Sequence, residues 1–207
     1  MIKSFFYSII ILSGFLFAVN GQNTEISSNV PNRIQNNELG ISFIKNGEVK
    51  QIDNSTYNIA LTSTESNPTN NAIAEVSVSN RLYVDLPGSY GGRFYLDSPN
   101  ASQFLKNRVM TDSIILNQQS YQRDYWVVYA GMGMWDCVIN CFAKRDGQYY
   151  IVSLIQDMHI GKPGEIIEGQ QLKSGDLKLQ GLSYLKDEAN NSISEYYKLL
   201  SSFQIQK

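Results

Sequence analysis

Cysteine and histidine are scarce in this 207-residue chain: Cys137 and Cys141 are the only thiols and His159 the only imidazole. Two cysteines cannot build a disulfide framework. Two thiols and one imidazole also fall short of the four N/S ligands of a structural zinc site. Charge is sparse as well. Charged residues make up 17% of the chain, and 17 basic against 19 acidic residues leave a net charge of −2. That balance provides no basic patch for nucleic acid or for an anionic membrane surface. Gly88 to Gly92 (GSYGG) lacks the Lys-Ser/Thr and the strand-to-helix setting of a phosphate loop, and reads as a flexible turn. Spacing nominates no catalytic residue, no metal ligand and no cofactor site. His159 reads as a loop residue.

Long apolar runs are confined to two places. The first is the start of the chain. Lys3 is followed by an apolar run from Phe5 to Val19 and by Val19-Asn20-Gly21. A run of about 15 residues is shorter than the roughly 20 that span a bilayer. Residues 1–21 are therefore expected to be a secretory signal peptide, with a secreted or periplasmic product and no transmembrane segment once it is removed. Residues 22–38 are rich in Asn and Ser and read as a polar flexible leader. Residues 39–207 are expected to form a single α+β domain, long enough for one core.

The second run is Tyr121 to Asp157, which carries both tryptophans and both cysteines. Read in alternation, Tyr125, Val127, Tyr129, Trp135, Cys137, Ile139 and Cys141 fall on one face. Trp126, Val128, Ala130, Val138 and Phe142 fall on the other, with Asp136 and Asn140 as polar intrusions. Strands apolar on both faces are covered on both faces. Gly131-Met132-Gly133 predicts a bend or tight turn. Asp146-Gly147 predicts a hairpin returning through 148–156. In an extended segment Cys137 and Cys141 lie about 13 Å apart, so they are expected as free buried thiols. Tyr121, Tyr125, Tyr129, Tyr149 and Tyr150 suit either a recognition surface or cross-strand core packing, and the two-faced apolarity favours the core.

The rest of the chain supplies shorter elements. Two strand-like pieces flank Asn46-Gly47, a hairpin signal. Residues 57–62 read as a strand and 63–71 as a loop. Residues 72–79 alternate, with Ile73, Glu75 and Ser77 opposite Ala74, Val76 and Val78, which predicts a strand with one wet face. Residues 82–86 and 93–96 flank the glycine loop. Ser98-Pro99 opens a helix predicted over 99–110. Residues 166–185, broken at Gly169, Gly175 and Gly181, read as short strands or turns. A final helix starts at Asp187 with an apolar stripe through Ile193, Tyr196, Leu200 and Phe203, and 204–207 follow as a tail. The expected class is α+β: a central antiparallel sheet with helices packed on it, including a C-terminal helix.

This element order, with Asp146-Gly147 leading into Tyr149-Tyr150-Ile151-Val152 and a closing helix ending Leu199-Leu200-Ser201-Ser202-Phe203, resembles the PsbP-like family. The resemblance covers most of the chain after residue 39 and rests on fold residues. It implies an antiparallel sheet with helices on both faces and a non-catalytic accessory or binding role, and it transfers no site residue. Trp135-Asp136-Cys137 is similar to the nucleophile segment of NlpC-type cell-wall cysteine peptidases, and Leu172 to Leu177 (LKSGDL) to their later Gly-Asp-Leu stretch. That implies Cys137 as a nucleophile. However, Val138-Ile139 replaces the family's Ser-Gly, and His159 precedes the Gly-Asp-Leu stretch where the family's base follows it. A thiol nucleophile needs a base within reach. The expected function is an exported, non-catalytic binding or accessory protein with another envelope protein as partner. A cell-envelope hydrolase using Cys137 is the alternative.

Overall fold

A computed structural model describes residues 32–45, 47–61 and 72–206. The expected signal peptide, most of the leader, Asn46 and the 63–71 loop lie outside the described residues. With strands numbered in chain order, seven of them form one antiparallel sheet. Its order is β3 (Val49–Asp53), β4 (Thr56–Ala60), β5 (Ala72–Ser79), β11 (Gln148–His159), β10 (Met134–Arg145), β9 (Gln119–Gly131) and β8 (Arg108–Leu116). A second sheet holds β1 (Arg33–Asn36), β2 (Ile41–Ile44) and β14 (Gln204–Ile205). Two small hairpins pair β6 (Tyr83–Leu86) with β7 (Gly92–Tyr95), and β12 (Ile166–Ile167) with β13 (Gln170–Gln171). The helices are α1 (Ala101–Leu105), α2 (Ser174–Leu185) and α3 (Asn191–Ser202).

The long aromatic run becomes β9, β10 and β11, the centre of the large sheet. Its turns lie where the turn residues predict. Asp146 and Gly147 have φ of 51° and 79°, and Met132 and Gly133 of 48° and 81°. Paired positive φ values match the twist of a two-residue hairpin. The two faces separate as the alternation predicts. Tyr125, Val127, Trp135, Cys137, Ile139 and Cys141 share a core with Val152 and Leu154, closed by Leu177 and Leu185 of α2 and by Ile193, Tyr196, Leu199 and Leu200 of α3. Asn190 caps α3 by accepting the Ser192 N–H. On the other face Trp126, Val128 and Val138 pack against Val84 and Leu86 of the β6–β7 hairpin and against Ala101 and Phe104 of α1. Tyr83 covers Phe142 and Ile151. Both cysteines are free and buried. Tyr121, Tyr125 and Tyr150 are core residues, which removes them from any recognition surface.

The α+β class does not hold. Strands take 52% of the described residues and helices 18%, so the molecule is mostly β. Helices cover one face of the large sheet. The other is covered by a β-hairpin and a helix of little more than one turn, where helices on both faces were implied. Four local differences separate the structure from the sequence reading. The helix expected to open at Ser98-Pro99 starts instead at Ala101, behind Asn100, and stops at Leu105, and Arg108 onward pairs with β9. Thr111, Ile114 and Ile115 are β-branched, and ladder bonding on a central hairpin outweighs helical spacing. Residues 174–185 form α2 rather than turns. Gly175 sits in its first turn, and a Cβ on Gly181 would lie 2.7 Å from Val127 Cγ1, so this glycine permits close helix–sheet contact. The pieces flanking Asn46-Gly47 belong to different sheets, and 204–205 pair with β2 as a strand. Finally, β5 has no wet face: Glu75 and Ser77 are 4% and 1% exposed. Among the described residues no helix is long and apolar enough to cross a membrane.

Gly181 provides a test of the α2 packing. Gly181→Val drives methyl groups into Val127 and Ile160 and is expected to cost about 2–3 kcal/mol of stability, as overpacking does. Gly175→Ala, with open space around it, should be neutral or gain up to about 1 kcal/mol from helix propensity. Urea midpoints at unchanged slope measure both.

Candidate functional site

The polar intrusions on the hairpin-covered face line up. Lys50, Asn58, Glu75, Ser153, Asn140, Asp124 and Thr111 are successive cross-strand neighbours, one on each of the seven strands. Glu75, Ser153, Asn140 and Asp124 are all buried, and a buried polar group is costly unless it is bonded. Ser153 Oγ donates to Asn140 Oδ1 at 2.7 Å, and Asn140 Nδ2 donates to the Tyr83 carbonyl at 2.8 Å. Thr111 Oγ1 and Arg108 donate to the Asp124 carboxylate at 2.8 and 3.1 Å.

Glu75 is the centre of the first ionisable cluster. The Tyr83 hydroxyl lies 2.7 Å from Glu75 Oε1 and 2.6 Å from Ser77 Oγ. Tyr83 has one hydroxyl proton; when it goes to the carboxylate, the Ser77 hydroxyl completes the chain. Arg93 on β7 reaches over the Tyr83 ring, 3.7 Å from its centroid, and donates both to Glu75 (3.2 Å) and to Asp85 (3.1 Å). Burial, followed by repulsion from Asp85, pushes the Glu75 carboxyl up to about 7. Burial and the neighbouring Glu75 push the Tyr83 phenol far above its ordinary range.

Asp136 is the centre of the second cluster. It is fully buried, and the backbone N–H groups of Gly88 and Ser89 donate to it at 3.2 and 2.6 Å. Gly88 is required there, since a Cβ would lie 2.8 Å from Asp136 Oδ1. Asp157 is its partner in register on β11. Burial and a hydrogen bond to Asp136 raise Asp157 to about 6. The GSYGG segment is thus a carboxylate cradle closing the hairpin. Tyr90 fixes its far side by edge contacts to Phe94 and Phe104 and by accepting from Asn107 at 3.0 Å. Two carboxyls poised near neutrality can exchange protons with solvent or a bound group. Their bonds also have a purely structural use, which is to hold the hairpin on the sheet.

Cys137 and Cys141 sit on the opposite face, in the helix-covered core. Burial drives the Cys137 thiol far up, and burial raises Cys141 to about 12. The imidazole of His159 packs against Gly133 at the sheet's end, on the hairpin side of the sheet. The geometry therefore separates the thiols from the one histidine and gives neither the thiolate a nucleophile requires. Among the described residues no group of three His, Cys, Asp or Glu side chains could hold a metal ion.

A surface feature lies elsewhere. An open cleft of about 590 Å³ runs between β1, β14 and α3, lined by Arg33, Tyr197, Lys198, Ser201, Ser202 and Gln204 among others. Arg33 is set there by donating to Ser42 Oγ at 2.8 Å, and Tyr197 by accepting from Arg123 at 2.9 Å. Sequence reading missed the cleft because β1 and β14 pair with β2 across most of the chain's length. It missed the Glu75 cluster because Glu75 and Ser77 read as a wet face. Asp136 and Asn140 were visible as intrusions without partners. No protein-family model matches this chain, and no curated protein matches it.

Folding raises the Glu75 value above its ordinary 4.5, so folding favours its protonated form. Its contribution is complete below about pH 4.5 and is lost as pH rises through 7. The wild type should therefore lose roughly 3 kcal/mol between pH 5 and 8 relative to Glu75→Gln. Urea unfolding at both pH values tests this, and parallel profiles for the two proteins would remove the assignment. The thiols make a separate prediction. At pH 8 a maleimide should label neither cysteine in the native protein and both in urea. Rapid native labelling would contradict their burial.

Proposed function

We propose that this chain is an exported, non-catalytic binding protein that engages another protein of the cell envelope. The apolar segment from Phe5 to Val19 behind Lys3 supports export. The observation that carries the binding reading is the open cleft beside α3. Its lining sets the cations Arg33 and Lys198 and the carboxylate of Glu188 beside Tyr197, Ile44, three serines and an amide. Arg and Tyr are favoured at protein contacts, because each combines a flat packing surface with directional donors. An open concavity of mixed polar and apolar lining, with two cations against one carboxylate, suits an extended segment of a partner better than a small enclosed substrate, which calls for an enclosed, burying pocket. The ionisable clusters fit the same picture. Their polar atoms bond to the hairpin they hold, which makes them parts of the scaffold.

The test is capture with a charge reversal. The full chain, tagged at its C-terminus, is expressed in its own host and lightly cross-linked, beside an Arg33→Glu/Lys198→Glu variant of the same fold and abundance. The expected result is an envelope protein recovered with the wild type and reduced about tenfold or more with the variant, as loss of two interface charges implies. Equal recovery with both proteins would take the cleft out of the proposal.

A further inference from the structure

The large sheet has two edges among the described residues, β3 and β8, and they are built differently. Edges of β-sheets invite another strand, and proteins blunt them with short strands, lysines and bulges. β3 has all three: five residues, Lys50, and a bulge between Gln51 and Asp53. β8 has nine residues, and from Thr111 to Leu116 it is regular, free of lysine, proline and glycine. Its one carboxylate, Asp112, is already neutralised by both arms of Arg123, each at 2.7 Å. Ile115 is 77% exposed beside it.

The turn after β8 fixes which backbone groups are free. Asn117 and Gln118 have φ of 51° and 65°, and Leu116 is in register with Gln119. In a two-residue hairpin of this kind the flanking pair exchanges both of its hydrogen bonds. Alternation then directs the N–H and C=O of Leu116, Ile114 and Asp112 toward β9. Those of Ile115, Ser113 and Thr111 point away from it. We propose that β8 is the edge through which two copies of this chain pair, antiparallel and about a two-fold axis, with Ser113 opposite Ser113.

The strand's own sequence selects that register. Antiparallel partners must match outward-pointing residues with outward-pointing ones. Centring on Ser113 does so: Thr111 faces Ile115 of the second copy on the hairpin side, and Asp112 faces Ile114 and Met110 faces Leu116 on the helix side. Centring on Asp112 also satisfies the backbone, but sets Ile115 opposite Val109, inside the bulge between Arg108 and Met110, and so shortens the regular ladder. Centring further toward either end shortens the ladder or runs it into the bulge between Arg108 and Met110. The favoured register is an isologous contact, and it covers the exposed edges of Met110, Ile114, Ile115 and Leu116. The inference does not depend on the cleft beside α3.

Ser113 supplies two discriminating variants. Its N–H points away from β9, so Ser113→Pro removes no bond of the monomer's ladder and blocks only an added strand. Ser113→Cys sets two thiols opposite each other across the axis, within the span a disulfide accepts, while both native cysteines are buried. Sedimentation of the chain without residues 1–21 between about 1 and 100 µM is expected to show a dimer, because mass action favours association over that range. Ser113→Pro should weaken the dimer at least tenfold while thermal unfolding of the monomer stays cooperative. Ser113→Cys should cross-link under mild oxidation, and Ser120→Cys, exposed one strand further in, should not. If Ser113→Pro fails to fold, the cysteine pair decides alone. A monomeric wild type, a dimer unaffected by Ser113→Pro, or a Ser113→Cys that links instead to a cysteine placed in residues 22–31 would each overturn the proposal.

Discussion

The β6–β7 hairpin is held on the large sheet by the need to satisfy polar groups that the sheet has buried. Apolar area alone would accept it in many positions, because Val84, Leu86 and Tyr83 could slide over Trp126, Val138 and Ile151 at little cost. Hydrogen bonds do not slide. Asn140 requires the Tyr83 carbonyl, Glu75 requires the Tyr83 hydroxyl and Arg93, and Asp136 requires the N–H groups of Gly88 and Ser89. These contacts span the hairpin from base to tip, so they set both its position and its orientation. Leaving any one of these buried groups unmade costs about 1–3 kcal/mol, enough to exclude alternative dockings of a flap whose strands are four residues each.

The same constraint fixes strand register. The polar row crosses seven strands, and a slip of one residue on any of them would turn its polar member into the helix-covered core. The apolar face contributes volume, and the polar row contributes specificity. This division is why the aromatic run can be apolar on both faces without ambiguity of pairing. Asp136 and Asn140 on β10 mark the register, and Asp124 and Ser153 on the strands beside it match Asn140.

What could be read in advance follows from how local each signal is. The β9–β10–β11 core was legible because each turn carries a glycine at a positive-φ position, Gly133 and Gly147, and its strands are apolar on both faces with few polar intrusions. The free thiols followed from the extended spacing of Cys137 and Cys141. The final helix showed in the spacing of Ile193, Tyr196 and Leu200, although it starts at Asn191, behind the Asn190 cap, rather than at Asp187. Non-local features were not legible. Whether 108–116 extends a helix or pairs with β9 depends on a strand edge that the segment itself does not encode. Gly181 reads as a helix breaker until the helix is seen against Val127. Glu75 and Ser77 read as solvent-facing because alternation reports polarity, and the hairpin that covers them comes after them in the chain. The misjudged class has the same origin: the second cover of the sheet is built from β6 and β7, elements too short to carry periodicity.

A raised carboxyl value is a common mark of an active site, yet structural ion networks produce it too. In this molecule an ion network is enough to produce it. Arg93 serves both Glu75 and Asp85 and lies over the Tyr83 ring, so its charge is divided between two acids that repel each other. A single cation cannot neutralise both at close range. One of them must then be held partly protonated, and burial makes that one Glu75. The value near neutrality thus follows from burial first and from repulsion by Asp85 second, against the pull of Arg93, with no substrate needed to explain it. The partly exposed Arg93 side chain is the point at which the clamp meets solvent, so a bound anion would compete there with Asp85 before it could disturb Glu75.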